Sequence, residues 1–171
     1  IRLGVIYMIV KFKGNDVTLE GREIKVGDKA PEFVAVDNSL EDFTFKAGKG
    51  VKILLSVPSV DTRVCDLEVK EFNKRAAELG DVYINTISMD LPFAQSRWCA
   101  ANDIEAVKTF SDYKYRSFGE EYGVFIKELA LLTRAAFVVD STNTVVYVEY
   151  CPEVSSAPDY EAIIKVAKEA K

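Results

Sequence analysis

The sequence predicts an α/β fold, with a central mixed sheet flanked by helices and an N-terminal β-hairpin. Residues 51–57 are almost continuously apolar and are followed by a proline, as expected of a strand that is buried on both faces. Apolar residues then recur at helical spacing from Cys65 to Leu79. Later, residues 135–139 and 144–150 form two strand-like segments separated by a turn sequence, which predicts an antiparallel hairpin.

The N-terminal part of the chain predicts the first hairpin. Residues 9–12 and 17–20 have strand character and are separated by glycine and asparagine, which favour turns. Residues 1–7 precede Met8 and lack the small-residue cleavage site of a signal peptide, so we interpret them as an upstream extension or a remnant of cloning. With 171 residues, 49% of them hydrophobic, we expect residues 8–171 to form a single domain.

The first long helix has recognisable ends. Asp61 or Thr62 can serve as its N-cap, since the side-chain oxygen of either residue can accept a hydrogen bond from a free N–H group of the first turn. Gly80 is suited to ending the helix. Cys65 therefore lies in the first helical turn, directly after a central strand.

A second strand and two more helices complete the predicted order. Residues 82–89 predict a central strand, and Pro92 suits the first turn of a helix that carries Trp98 and Cys99. A last helix is predicted over residues 159–170. Strand, helix, strand, helix, hairpin and helix is the order of a thioredoxin-like fold.

Charge and composition exclude several classes of function. The formal net charge is −5, which disfavours binding to nucleic acid or to anionic lipid by electrostatic attraction. We also see no segment that predicts a membrane span, and we expect partners other than nucleic acid and membranes.

The content of histidine and cysteine narrows the chemistry. The sequence has no histidine, so it lacks the usual general base and the commonest metal ligand. Its three cysteines, Cys65, Cys99 and Cys151, are too few and too widely spaced for a zinc ribbon, and their odd number argues against a secreted disulfide scaffold. We therefore predict reduced thiols, a cytoplasmic location, and neither a metal nor an organic cofactor.

The residues alone leave two interpretations of Cys65 open. Free cysteine is often a buried core residue, and Cys65 lies on the apolar face of its helix. The first turn of a helix, however, presents unpaired N–H groups and the positive end of the helix dipole, which favour a reactive thiolate.

Residues 58–65, with the sequence PSVDTRVC, resemble the peroxidatic motif of the thiol peroxidase branch of the peroxiredoxins. The resemblance extends from about Met8 to the last helix. It implies a peroxiredoxin-type variant of the thioredoxin-like fold, and it implies that Cys65 is the nucleophile, with Thr62 as a hydrogen-bond donor to it and Pro58 excluding water.

Two further segments carry the same resemblance. Residues 88–99 resemble the segment that contains the resolving cysteine, which implies this role for Cys99. Residues 131–140 resemble the segment that brings an arginine to the reactive thiol, which implies that Arg134 contacts Cys65; taken by itself, Arg134 would be interpreted as a surface residue. Cys151 has no counterpart in this scheme, so we interpret it as structural.

The resemblance thus implies a complete reaction. Hydrogen peroxide or an alkyl hydroperoxide would oxidise Cys65 to a sulfenic acid, Cys99 would convert it to an intramolecular disulfide, and thioredoxin would reduce that disulfide in a homodimeric enzyme. A peroxide-sensing redox switch that oxidises a partner protein is the alternative. A thioredoxin-type disulfide oxidoreductase is less favoured, because the sequence contains no Cys-x-x-Cys pair.

Overall fold

The computed structural model describes residues 8–170, and the interpretation of residues 1–7 as an extension lies outside this part of the chain. The strands are β1 (Met8–Phe12), β2 (Asn15–Glu20), β3 (Phe33–Val36), β4 (Asp42–Phe45), β5 (Lys52–Ser56), β6 (Tyr83–Ser88), β7 (Val107–Ser111), β8 (Phe125–Ile126), β9 (Leu131–Leu132), β10 (Ala135–Val139) and β11 (Val145–Tyr150). The helices are α1 (Arg63–Leu79), α2 (Pro92–Ala101), α3 (Ser117–Glu121) and α4 (Tyr160–Glu169).

The predicted central sheet is confirmed. It has seven strands in the order β11-β10-β5-β6-β7-β3-β4. The pairs β5–β6 and β6–β7 are parallel, whereas β10 is antiparallel to both of its neighbours, so the sheet is mixed. Because α1 connects β5 to β6 and α2 connects β6 to β7, the starts of α1 and α2 both follow the carboxyl ends of neighbouring parallel strands.

The sheet is buried on both faces, as the apolar sequence of its central strand predicts. Successive side chains of a strand point to opposite faces. Leu54 accordingly lies in one apolar layer with Phe137. Ile53 and Leu55 lie in the other layer, where Phe72 of α1 and residues of α4 cover them.

The predicted N-terminal hairpin is also present, and it belongs to a second, smaller sheet. Strands β1 and β2 pair in antiparallel fashion, and the short strands β8 and β9 extend the sheet beside β2. The backbone N–H of Lys11 donates to the carbonyl of Pro152 at 2.8 Å, and the Val154 N–H donates to the carbonyl of Lys11 at 2.8 Å. The hairpin is thereby attached to the segment that follows β11.

Several elements were not expected from the sequence. Strands β3 and β4 form an antiparallel pair at one edge of the sheet, and β7 lies beside β6. Helix α3 has five residues and begins after Arg116, whose φ of 52° is left-handed. These elements are short and lack a long periodic pattern, so the sequence gives only a weak signal for them. Within the described residues, none of the helices combines the length and the apolar character needed to span a bilayer.

Candidate active site

The first turn of α1 holds Cys65, which is completely buried. Of the two predicted caps, Thr62 is the one used: its Oγ1 accepts a hydrogen bond from the Cys65 N–H at 3.4 Å. The Thr62 hydroxyl in turn donates to the carbonyl of Ser59 at 3.1 Å. At the other end, Gly80 adopts a φ of 64°, a left-handed value that glycine tolerates, and ends the helix.

The loop before α1 is fixed by Asp90, two residues after the end of β6. The Asp90 carboxylate accepts from the Ser59 hydroxyl at 2.7 Å and from the Val60 N–H at 2.9 Å. It also accepts from the Ser88 hydroxyl at 2.7 Å. Since Ser59 binds Thr62, these bonds hold the residues that surround the Cys65 thiol.

Arg134 reaches Cys65 from the start of β10, as the resemblance implies. Its side chain is 1% exposed, so the interpretation as a surface residue is wrong. One Nη2–H donates to the Cys65 Sγ at 3.1 Å, the Nη1 atom donates to Glu68 at 2.6 Å, and Nε donates to the carbonyl of Val154 at 2.7 Å. These three bonds fix the plane of the guanidinium, which can donate to several acceptors at once.

Glu68 is a residue of the site that the sequence analysis missed. It lies three residues after Cys65 on the same helix face, is fully buried, and has no hydrogen-bond partner for Oε1 within the described residues. Burial raises the pKa of Glu68 to about 7, even though Arg134 opposes this shift, and Glu149 raises it further. An acidic residue on an otherwise apolar helix face was the available sequence signal.

The charge state of Cys65 depends on opposing influences. Burial is the strongest and raises the pKa of the thiol, because a thiolate loses its hydration there. Arg134, the Thr62 hydroxyl and the Ser59 backbone lower the pKa, whereas Glu68 raises it. These donors lower the pKa, but the loss of hydration outweighs them, so the net direction is upward.

A cavity of about 360 Å³ lies next to this group of residues. Pro58, Thr62 and Arg134 form part of its wall, together with Phe12 from the N-terminal hairpin. Because Thr62 and Arg134 also contact Cys65, a small molecule in the cavity lies beside the residues that surround the thiol.

Cys99 lies apart from this group. It is partly buried near the end of α2, and its Sγ is 3.5 Å from the Oγ1 of Thr109 on β7. With Thr109 it lines a different cavity, of about 570 Å³. The structure therefore brings Pro58, Thr62, Cys65 and Arg134 together. Cys99 is separate from them: its thiol is reduced and forms a hydrogen bond with Thr109.

Cys151 is also a free thiol, and it is buried. Its N–H donates to the carbonyl of Arg134 at 3.0 Å, and its thiol donates to Glu149 at 3.7 Å. Burial, Glu149 and Glu68 raise the pKa of Cys151 to about 12. A thiol with this pKa stays protonated, which agrees with a structural role.

In residues 8–170, no group of three or more histidine, cysteine, aspartate or glutamate side chains is arranged so that it could hold a metal ion.

Comparison with known proteins gives consistent results. The Redoxin family model matches residues 25–164. The thiol peroxidase of Clostridium acetobutylicum is 60% identical over 96% of this chain and 100% of its own length, and that of Bacillus subtilis is 53% identical over 93% and 96%. A peroxiredoxin-like protein from Aquifex aeolicus superposes with a TM-score of 0.91 at 40% identity, covering 96% of this chain and 99% of that one.

A more distant solved structure supports the fold. The thiol peroxidase from Chromobacterium violaceum has a TM-score of 0.86 at 23% identity and covers 95% of this chain and 96% of its own. The predicted thioredoxin-like fold of the peroxiredoxin type is thus confirmed. Together with the extent and identity of the curated matches, this shows that the chain belongs to the Redoxin family, as a thiol peroxidase of the peroxiredoxin type.

Proposed function

We propose that Cys65 is the nucleophile with which this thiol-dependent peroxidase reduces hydrogen peroxide and alkyl hydroperoxides. The observation that carries this assignment is the bond from the buried Arg134 guanidinium to the Cys65 Sγ, at 3.1 Å, in the first turn of a helix and beside a cavity. Among residues 8–170, no such donor contacts the other two thiols: Cys99 contacts the Thr109 hydroxyl, and Cys151 contacts a carboxylate.

The first step is attack of the Cys65 thiolate on one oxygen of the hydroperoxide. The S–O bond forms as the O–O bond breaks, so sulfur is oxidised to a sulfenic acid and the departing oxygen takes up a proton to leave as water or an alcohol. Arg134 and the hydroxyl of Thr62 can stabilise the negative charge that moves from sulfur to the departing oxygen. Pro58, in the cavity wall, limits the access of water.

In the second step Cys99 resolves the sulfenic acid. Its sulfur attacks the Cys65 sulfur, the S–O bond breaks, and water leaves as the intramolecular disulfide forms. A disulfide needs Cα atoms within about 7 Å and suitable side-chain directions. Since Cys99 is on a helix and bonded to Thr109, we propose that local unwinding of α2 precedes this step.

Thioredoxin is the proposed reductant of the Cys65–Cys99 disulfide, in keeping with the thiol peroxidase family. We further propose a homodimer in the cytoplasm, where thiols remain reduced. The net charge of −5 disfavours nucleic acid and an anionic membrane surface as partners.

The test is thioredoxin-coupled consumption of hydroperoxide by the wild type and by serine variants at each cysteine. We expect Cys65→Ser to abolish turnover, because a serine hydroxyl in a site without histidine stays protonated. Cys151→Ser should retain turnover. A wild type that is oxidised once per chain, and that consumes no more peroxide when thioredoxin is supplied, would instead indicate a redox sensor.

A further inference from the structure

A single hydrogen bond joins the neighbours of the two proposed redox cysteines. The indole Nε1–H of Trp98 donates to the Asp66 Oδ1 at 3.0 Å. Asp66 follows Cys65 on α1, and Trp98 precedes Cys99 on α2. The bond therefore connects the two helices through the residues next to the two cysteines in sequence.

Both ends of this bond are held by their surroundings. Trp98 is 8% exposed and packs in the apolar layer that also contains residues of α1 and α4. The second carboxylate oxygen of Asp66 accepts from Lys70, one turn later on the same helix, at 2.8 Å. Asp66 is thus oriented from its own helix while Oδ1 is directed at α2.

The direction of Trp98 is coupled to the direction of the Cys99 thiol, because the two residues are neighbours on α2. Successive side chains of an α-helix are about 100° apart around the axis. Because Trp98 is directed at α1, the next side chain, Cys99, is turned away from it and lies against Thr109 of β7. To reach the Cys65 sulfur, the part of α2 around Cys99 has to leave this orientation, and Trp98 cannot stay in place while its neighbour does so.

We infer that the Trp98–Asp66 hydrogen bond holds α2 in the reduced conformation and breaks before Cys99 reaches the Cys65 sulfenic acid, which makes Asp66 a positioning residue for resolution. This inference rests on the proposed function, in which Cys99 resolves Cys65. The bond then controls a competition at the sulfenic acid. Either Cys99 displaces water and forms the disulfide, or a second hydroperoxide transfers an oxygen to sulfur, giving sulfinic acid and releasing water or an alcohol.

The experiment compares Asp66→Ala with Asp66→Asn. Both variants lose the carboxylate charge beside Cys65, but asparagine keeps a carbonyl oxygen that can accept from the indole. One equivalent of hydrogen peroxide is added to the fully reduced chain, the reaction is stopped with acid at successive times, and the Cys65–Cys99 disulfide is quantified by mass spectrometry. A parallel series with excess peroxide measures the sulfinic acid at Cys65.

We expect disulfide formation in Asp66→Ala to be about fivefold faster than in Asp66→Asn, since a hydrogen bond to a neutral amide oxygen contributes about 1 kcal/mol, which corresponds to about this factor. The sulfinic acid fraction should fall accordingly. Lys70→Ala removes the partner that orients Asp66 but leaves the acceptor of the indole N–H in place, so its rate should lie between those of the wild type and Asp66→Ala.

A second substitution tests the donor. Trp98→Phe removes the N–H and keeps an aromatic ring, although a smaller one, in the apolar layer, so the folded variant should also accelerate disulfide formation; urea unfolding measures the separate cost of the lost volume. The double variant Asp66→Ala with Trp98→Phe should be no faster than either single variant, because both remove the same bond.

The outcomes separate this inference from the proposed function. If the wild type forms the Cys65–Cys99 disulfide and Asp66→Ala forms it at the rate of Asp66→Asn or more slowly, the inference is overturned and the proposed function stands. If the oxidised wild type contains no such disulfide, the proposed resolution step fails, and the inference fails with it.

Discussion

Removing the guanidinium of Arg134 should have a large and measurable effect on the first oxidation of Cys65. The Nη2 atom lies 3.1 Å from the Cys65 Sγ in a fully buried site, so this bond is formed before the peroxide arrives. Loss of one such preorganised donor costs about 3 kcal/mol, which corresponds to a decrease of about 100-fold in rate. For Arg134→Ala we therefore expect oxidation of Cys65 to be slower by about this factor and the pKa of Cys65 to be higher.

The same substitution also affects folding, in a way that depends on pH. Arg134 is the ion-pair partner of Glu68, and removal of one partner of a buried pair costs about 3–5 kcal/mol when the other stays charged. The pKa of Glu68 is already raised to about 7, and it rises further when Arg134 is removed. A carboxyl group whose folded-state pKa is above its unfolded value loses stability as pH increases between the two values, so Arg134→Ala should be destabilised more at pH 8 than at pH 6.

These two effects are separable in one set of variants. Stopped-flow oxidation with a single equivalent of hydroperoxide measures the chemical step, and urea unfolding at pH 6 and pH 8 measures stability. Adding Glu68→Gln to Arg134→Ala removes the charge left without its partner, so the extra loss of stability at pH 8 should disappear while oxidation remains slow. If folded Arg134→Ala is oxidised within threefold of the wild-type rate, the proposed role of this arginine is wrong.

Three other substitutions test the rest of the site. In Cys99→Ser, Cys65 should be oxidised at close to the wild-type rate, but the sulfenic acid should persist and thioredoxin-coupled turnover should collapse. Excess peroxide should convert the sulfenic acid to sulfinic acid. A dominant disulfide to Cys151 in the oxidised wild type, found by peptide mapping, would contradict the assignment of Cys99 as the resolving thiol. Thr62→Val should slow the oxidation and lower stability by about 1 kcal/mol through loss of the helix cap, whereas Thr62→Ser should preserve both, as measured by the same kinetics and by urea unfolding. Glu68→Gln should lower the pKa of Cys65 and speed the oxidation of Cys65 above pH 7, where Glu68 is charged. Glu71→Gln on the same helix is the control, and an identical thiol titration in the two variants would show that Glu68 does not raise the pKa of Cys65.

The sequence was informative where a local pattern and a structural role coincide. The apolar segment at residues 51–57 predicts β5, and the helical spacing after it predicts α1 with Thr62 as one of two caps. The residues of the site could be predicted from the family resemblance, because Pro58, Thr62, Cys65 and Arg134 lie in recognisable motifs.

What the sequence did not provide are contacts between distant residues. Glu68 interrupts the apolar face of α1, but the reason is Arg134, which lies 66 positions further along the chain. The pKa of Cys65 likewise depends on how deeply the thiol is buried, which no local pattern specifies. The orientation of Cys99 toward Thr109 also follows from the packing of α2 on β7 rather than from the motif around it.

The bond between Trp98 and Asp66 has a practical consequence for following the enzyme in solution. The chain contains one tryptophan, so its tryptophan fluorescence, excited selectively over that of the tyrosines, comes from a single place, next to Cys99 on α2. In the reduced conformation the indole is nearly buried and bonded to a carboxylate, and unwinding of α2 would expose it to water. The native chain therefore contains its own optical reporter, and the proposed unwinding of α2 should be observable without a label as a change in tryptophan emission.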